Sequence, residues 1–246
     1  MGWASSGLSA SCVAASPISS WAGGSARSNA ERSRITGREG NTRAAGAVTF
    51  CATSGPVLSL ESSTDPRWVD VALGNLDAVL HDHLHCELKA ASNATSLVAR
   101  YAMHPRLVEG LSELAREELV HVQQVFAEMG RRGVGARPPG EDGYARALRR
   151  ALDDKRGDPL LDRLTVAAVI EARSCERFQL LATHAPTEAL RGWYHELFVS
   201  EARHHRLFAS LAEELYGEAQ AQARLRALAA REAEIIAKAE IVARIH

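Results

Sequence analysis

Glu171-Ala-Arg-Ser-Cys-Glu-Arg-Phe178 is followed by Glu201-Ala-Arg-His204, and reading these two stretches together decides the fold. An earlier pair has the same form: Glu87 within His85-Cys-Glu-Leu-Lys-Ala90, then Glu118-Leu-Val-His121. Each half of the chain offers a lone Glu and then an E-x-x-H. Glu118 follows Glu87 by 31 residues, and Glu201 follows Glu171 by 30. A spacing of three sets the Glu and His of each E-x-x-H one above the other on a helix. A separation near 30 residues suits a helical hairpin: half a helix up, a turn, and half a helix back at a rise of about 1.5 Å per residue. The groups then meet at one level. Four carboxylates and two imidazoles in that order suit two metal ions held in the middle of a four-helix bundle.

Working outward, the apolar residues around each group keep a helical period. The spacing predicts a first long helix from Trp68 to about Tyr101, opened by Asp65-Pro66, with Leu76, Leu80, Leu84, Glu87, Ala91, Ala94 and Val98 on one face. A second spans about Arg106 to Gly130, a third runs from Pro159 to about His184, and a fourth from about Thr187 to Tyr216, stopped by Gly217. In every case a carboxylate sits inside the apolar stripe, where a charge is costly unless paired or metal-bound. A last amphipathic helix, about 219–244, packs outside the bundle in this reading and carries no visible chemistry. The expected class is all-α: a ferritin-like four-helix bundle with a long crossover and an extra C-terminal helix.

The crossover is residues 131–157, with a short helix near Tyr144–Leu152. It holds eight basic and four acidic residues, an excess of four positive charges in a chain whose total is −1. Arg131, Arg132, Arg137, Arg149 and Arg150 are its candidate phosphate contacts, although a solvated face is the plainer reading of such a run. The near-neutral total excludes a whole-protein pull on nucleic acid.

Residues 1–60 differ from the rest, with twelve Ser, eight Gly and five Arg against two acids. They are read as a disordered or spurious extension, while 61–246 form the helical domain. The composition also resembles a transit peptide. Cys12, Cys51, Cys86 and Cys175 form no C-x-x-C pair, so neither zinc nor a disulfide framework is indicated, and a reduced, cytoplasmic setting is expected. No apolar run approaches the ~18–20 residues of a membrane span.

A single E-x-x-H is weak evidence, since Glu and His are common on helix surfaces. Two copies, each preceded by a centred Glu, are far more specific. The competing reading, ion pairing with Arg116, Arg173 and Arg203, leaves six inward polar groups poorly explained. A carboxylate-rich, thiolate-free set favours iron or manganese. Four glutamates neutralise two divalent ions, which makes burial tolerable. Around this set, Glu176 is assigned a supporting or surface place, His205 a flank, and Cys86 and Cys175 plain packing; His83 lies one turn from Glu87, but a supporting role for it is not the favoured reading.

The strings Asp82-His-Leu-His-Cys-Glu-Leu-Lys-Ala-Ala91, Leu114-Ala-Arg-Glu-Glu-Leu-Val-His121, Ile170-Glu-Ala-Arg-Ser-Cys-Glu-Arg-Phe178 and Ser200-Glu-Ala-Arg-His204 resemble the MiaE-type tRNA hydroxylases over about residues 65–216. That resemblance implies a non-haem di-iron monooxygenase using O2. Its substrate would be 2-methylthio-N6-isopentenyladenosine beside the anticodon of tRNA. Two iron ions would be held by Glu87, Glu118, His121, Glu171, Glu201 and His204. An external donor such as a ferredoxin with its reductase would supply electrons. A di-iron oxidase of another small or carrier-bound substrate, and non-catalytic iron storage, are the competing readings.

Overall fold

The structure, a computed structural model, describes residues 58–140, 142–152 and 157–246. The expectation for residues 1–57 lies outside the described residues, as do Lys155 and Arg156 of the crossover.

Among the described residues every regular element is helical. Helix α1 is Arg67–Gly74 and α2 is Leu76–Arg100. They replace the single first helix that the periodicity predicts. The break falls at Asn75, whose backbone leaves the helical region (φ −145°, ψ 60°) and whose side chain accepts from the Ala78 amide. An Asn side chain competes for backbone donors in this way and favours caps. Leu76 and Val79 keep the apolar period running through the break, so hydrophobicity does not reveal it.

Helix α3 is Pro105–Arg131, with Pro105 where a missing N–H costs nothing. It runs one residue past Gly130 and ends in a turn with Gly133 at φ 70°. The short crossover helix α4 is Gly143–Ala151, capped by Asp142. Helix α5 is Pro159–His184; Asp158 accepts from the amides of Leu160 and Leu161. Helix α6 is Glu188–Tyr216, capped by Thr187 and stopped at Gly217, φ 82°, a backbone conformation that favours glycine. Helix α7 is Glu218–Lys238, shorter than the pattern predicts.

The four long helices pair as two hairpins, α2 with α3 and α5 with α6. The α5–α6 connection is three residues and the α2–α3 connection four, while α3 reaches α5 through the crossover. This is the ferritin-like arrangement. Leucine, alanine and phenylalanine side chains fill it above and below the level of the glutamates.

Helix α7 packs along α5 and α6 and is not chemically inert. Its Glu232 is fully buried and takes two bonds of 2.8 Å from the guanidinium of Arg173. Arg173 also reaches Glu176, Thr64 and the Ser62 carbonyl, while Tyr144 of α4 donates to Glu232 at 2.9 Å. Glu176 is therefore buried, with Thr64 donating to it through both its amide and its hydroxyl. One buried polar network thus pins α4, α5, α7 and the segment before α1 together.

Candidate metal centre

Glu87 comes from α2, Glu118 and His121 from α3, Glu171 from α5, and Glu201 and His204 from α6. All six side chains are buried. They converge into two overlapping groups whose ligand atoms lie within 4.8 Å of one another: Glu87, Glu118, His121 and Glu201, and Glu118, Glu171, Glu201 and His204. Glu118 and Glu201, the acids of the two E-x-x-H motifs, belong to both. A shared carboxylate has two oxygens and can bridge two cations; the remaining groups divide evenly between the two positions.

Both imidazoles present Nδ1 to the carboxylates. His121 Nδ1 lies 3.1 Å from Glu118 and 3.9 Å from Glu87 and from Glu201. His204 Nδ1 lies 2.9 Å from Glu118 Oε1 and 3.5 Å from Glu201. Close as they are, several of these atoms make no hydrogen bond: Glu118 Oε1, Glu201 Oε1 and His204 Nδ1 are buried and unpartnered among the described residues. Buried polar atoms without partners are costly. A cation between them would satisfy all three, so the donor set fits a pair of metal ions.

The arginines offered as an alternative source of compensation are elsewhere. Arg116 is exposed beside Glu113, Arg203 pairs with Glu117, and Arg173 serves Glu176 and Glu232. Among the described residues the four central glutamates keep only the two imidazoles and His83 for company. Burial and the charge of Glu118 raise the Glu87 carboxyl to about 7. Burial and Glu201 push Glu171 well above the usual carboxylate range; burial and Glu118 raise Glu201. Burial raises Glu118 too, against the opposing pull of His204. Burial alone would lower His204, but Glu201, Glu117 and Glu118 together overcome it and raise it. Such a cluster is protonated or metal-filled at neutral pH.

Neighbours hold the clustered side chains. His83 Nε2 sits 2.5 Å from Glu87 Oε1, one turn back on α2, a supporting contact that the sequence reading does not favour. Glu117 lies 3.2 Å from His204 Nε2 and takes further bonds from Ser200 and Arg203. Sequence reading passes over Glu117, because its neighbour Glu118 claims the motif. The one available signal is that a residue beside Glu118 on α3 must face α6. His205 bonds the Ala168 carbonyl at 2.7 Å and stays outside the centre. Cys86 and Cys175 are buried thiols, as expected.

A cavity of about 1090 Å³ leads to the centre between α2 and α5, with α4 alongside. Glu87, Glu171 and Glu201 line it, with Val166, Ala167 and Ile170 supplying apolar wall. Of the five crossover arginines, Arg149 and Arg150 line this cavity. Arg131 and Arg132 do not; they pair with Glu128 and Asp77. Arg137 borders a smaller neighbouring pocket, where its carbonyl meets the imidazoles of His81 and His85. Among the described residues no helix is long and apolar enough to cross a membrane.

Paired helical hairpins that gather buried carboxylates and imidazoles at mid-bundle define a ferritin-like helical protein with a candidate centre for two metal ions. A solved structure shares this fold. A chain described as protein 43 with aldehyde deformylating oxygenase activity from Synechococcus superposes with a TM-score of 0.71 at 40% identity, covering 77% of this chain and 96% of its own. Residues 55–246 match the family model for tRNA-(MS[2]IO[6]A)-hydroxylase (MiaE). The tRNA 2-(methylsulfanyl)-N(6)-isopentenyladenosine(37) hydroxylase of Pseudomonas putida is 43% identical over 183 residues, 74% of this chain and 89% of that protein. The enzyme of the same name from Salmonella typhimurium is 30% identical over 241 residues, covering 78% and 88%. The chain belongs to the MiaE family of tRNA hydroxylases.

Proposed function

We propose that this chain is an O2-dependent tRNA hydroxylase that places a hydroxyl on the isopentenyl group of 2-methylthio-N6-isopentenyladenosine beside the anticodon. The observation that carries the reading is the cavity: three of the clustered, buried glutamates and the exposed Arg149 and Arg150 line the same space. It is the shape needed by a nucleotide turned out of its loop so that its modified edge reaches a metal pair.

Glu87, Glu118, His121, Glu171, Glu201 and His204 would hold the metal pair, Glu118 and Glu201 being common to both groups. Support comes from the unpartnered buried atoms and the two overlapping groups. When bound, two iron ions supply reduction of O2 and transfer of one oxygen atom to carbon. The balance is substrate C–H plus O2, two electrons and two protons, giving C–OH and water. An external carrier such as a ferredoxin with its reductase delivers the electrons.

This chain's own residues set the geometry and the environment. His83 and Glu117 hold one carboxylate and one imidazole in place. Such outer contacts orient ligands and tune their basicity. Val166, Ala167 and Ile170 form an apolar wall against which an isopentenyl group can lie with its allylic carbon toward Glu171. The same wall keeps bulk water from the reacting carbon. Acting on tRNA, the enzyme works in the cytoplasm. The 61–246 body carries all of these parts.

Nucleoside analysis of tRNA tests the reading. A strain lacking the gene, with no redundant enzyme, should accumulate 2-methylthio-N6-isopentenyladenosine. The wild-type gene should restore the hydroxylated form and a Glu171→Ala gene should not. Unchanged hydroxylated nucleoside in the deletion strain would end the proposal.

A further inference from the structure

The same cavity is lined by a guanidinium that meets no acid among the described residues. Arg163, in the second turn of α5, is half-buried, and its Nη2 donates to Asn93 Oδ1 at 3.0 Å and to Ser96 Oγ at 3.2 Å, both on α2. These holders are neutral. They fix the planar group across the α2–α5 groove without cancelling its charge. Arg163, Asn93, Ser96, Arg149 and Arg150 all line the cavity. Among the described residues none of these three arginines forms an ion pair, whereas Arg131, Arg132 and Arg203 each meet a carboxylate. Burial lowers the Arg163 guanidinium from its usual range, and the positive charges of Arg100 and Arg149 lower it further. A protein does not ordinarily gather cations about a partly desolvated guanidinium without an anion to occupy the place.

The position also has a length. Arg163 and Glu171 are eight residues apart on one helix, about 12 Å along its axis. That span compares with the reach of a single nucleotide from its phosphate to a substituent on the far edge of its base. Resting on the proposed function, we propose that Arg163, held by Asn93 and Ser96 and flanked by Arg149 and Arg150, binds a backbone phosphate of the RNA and so sets how deep the modified base enters the cavity. A guanidinium fork suits two phosphate oxygens at once. Contacts of this kind position a nucleic acid without reading its sequence.

The test uses iron-loaded full-length protein and an anticodon stem–loop RNA bearing 2-methylthio-N6-isopentenyladenosine. Binding is measured across a range of salt concentrations, and hydroxylation under steady state. Arg163→Gln should weaken binding about tenfold and raise KM in step. Loss of one phosphate contact should also flatten the salt slope by about one. Iron content and the visible spectrum should match wild type. Arg163→Lys, which keeps the charge but not the fork, should fall between. Arg149→Gln, at an exposed position that cannot unfold the chain, should lower affinity and slope in the same direction, while Arg131→Gln should change neither. Hydroxylation by an Arg163→Gln protein with wild-type KM and salt slope would overturn the phosphate site and leave the substrate reading intact. RNA binding that depends on Arg163, with no hydroxylation by the wild-type enzyme, would uphold the phosphate site and sink the substrate reading.

Discussion

Glu117 Oε2 lies 3.2 Å from His204 Nε2, so the histidine of one hairpin is held by an acid of the other. The contact leaves Nδ1 facing Glu118 and Glu201. It also draws the Glu117 carboxyl well below its ordinary range, chiefly through the bond to His204. Replacing Glu117 by Gln should therefore cost metal affinity at one ion more than the other. We expect about a 10- to 100-fold weaker second binding step, measured by metal titration, with the helical content unchanged. Equal loss at both steps, or none, would show that Glu117 does not orient His204.

Glu171→Ala should split stability from loading. Without metal, four clustered acids are a burden, and removing one relieves it. The metal-free variant should melt at or above the wild-type temperature, whereas added iron should stabilise wild type and do little for the variant. Scanning calorimetry with and without metal decides this. Full iron occupancy in the variant would remove Glu171 from the ligand set.

Metal loading should release protons. The raised carboxyl of Glu87, about 7 in the folded metal-free chain, holds a proton at pH 6 that a metal displaces. A carboxyl raised on folding stabilises the metal-free protein below its unfolded value, and that contribution is lost as pH rises through about 7. Metal affinity should accordingly climb from about pH 5.5 to about pH 7.5 by the same linkage. A pH-stat titration at about pH 6 should record proton release per ion bound; none would mean the carboxylates are already ionised.

Arg173 should be among the costliest single losses outside the centre. Arg173→Ala leaves Glu232 and Glu176 buried without their cation, and we expect destabilisation of about 3–5 kcal/mol in urea unfolding. Adding Glu232→Gln to that variant should recover part of it. A loss below about 1 kcal/mol for Arg173→Ala would mean that the network is not needed to hold α7.

The bundle and its six inward groups were legible because they depend on local periods. A ligand three residues from its partner, on a stripe of period 3.6, is visible without tertiary knowledge. What stayed hidden depends on pairs distant in the chain. Arg173 and Glu232 are 59 residues apart, and nothing local says that α7 returns to meet α5. The break at Asn75 leaves the apolar period uninterrupted, and its cap competes unseen with Asp65-Pro66 upstream. Charge counting along the crossover treats Arg131 and Arg149 alike. Only the fold shows that the first answers Glu128 while the second faces the cavity, and that Arg163, outside the crossover, joins it.

Glu118 and Glu201 each belong to both groups of the centre. The repeat in this chain is thus one of geometry and not of function. Neither hairpin owns a site: each contributes three groups, and each ion would rest on acids from both. Folding one hairpin alone would yield no half-active enzyme, only two helices with acids turned inward and nothing to bind. Docking of the hairpins and formation of the centre are a single event, and parting the two hairpins as bodies would dismantle both positions together.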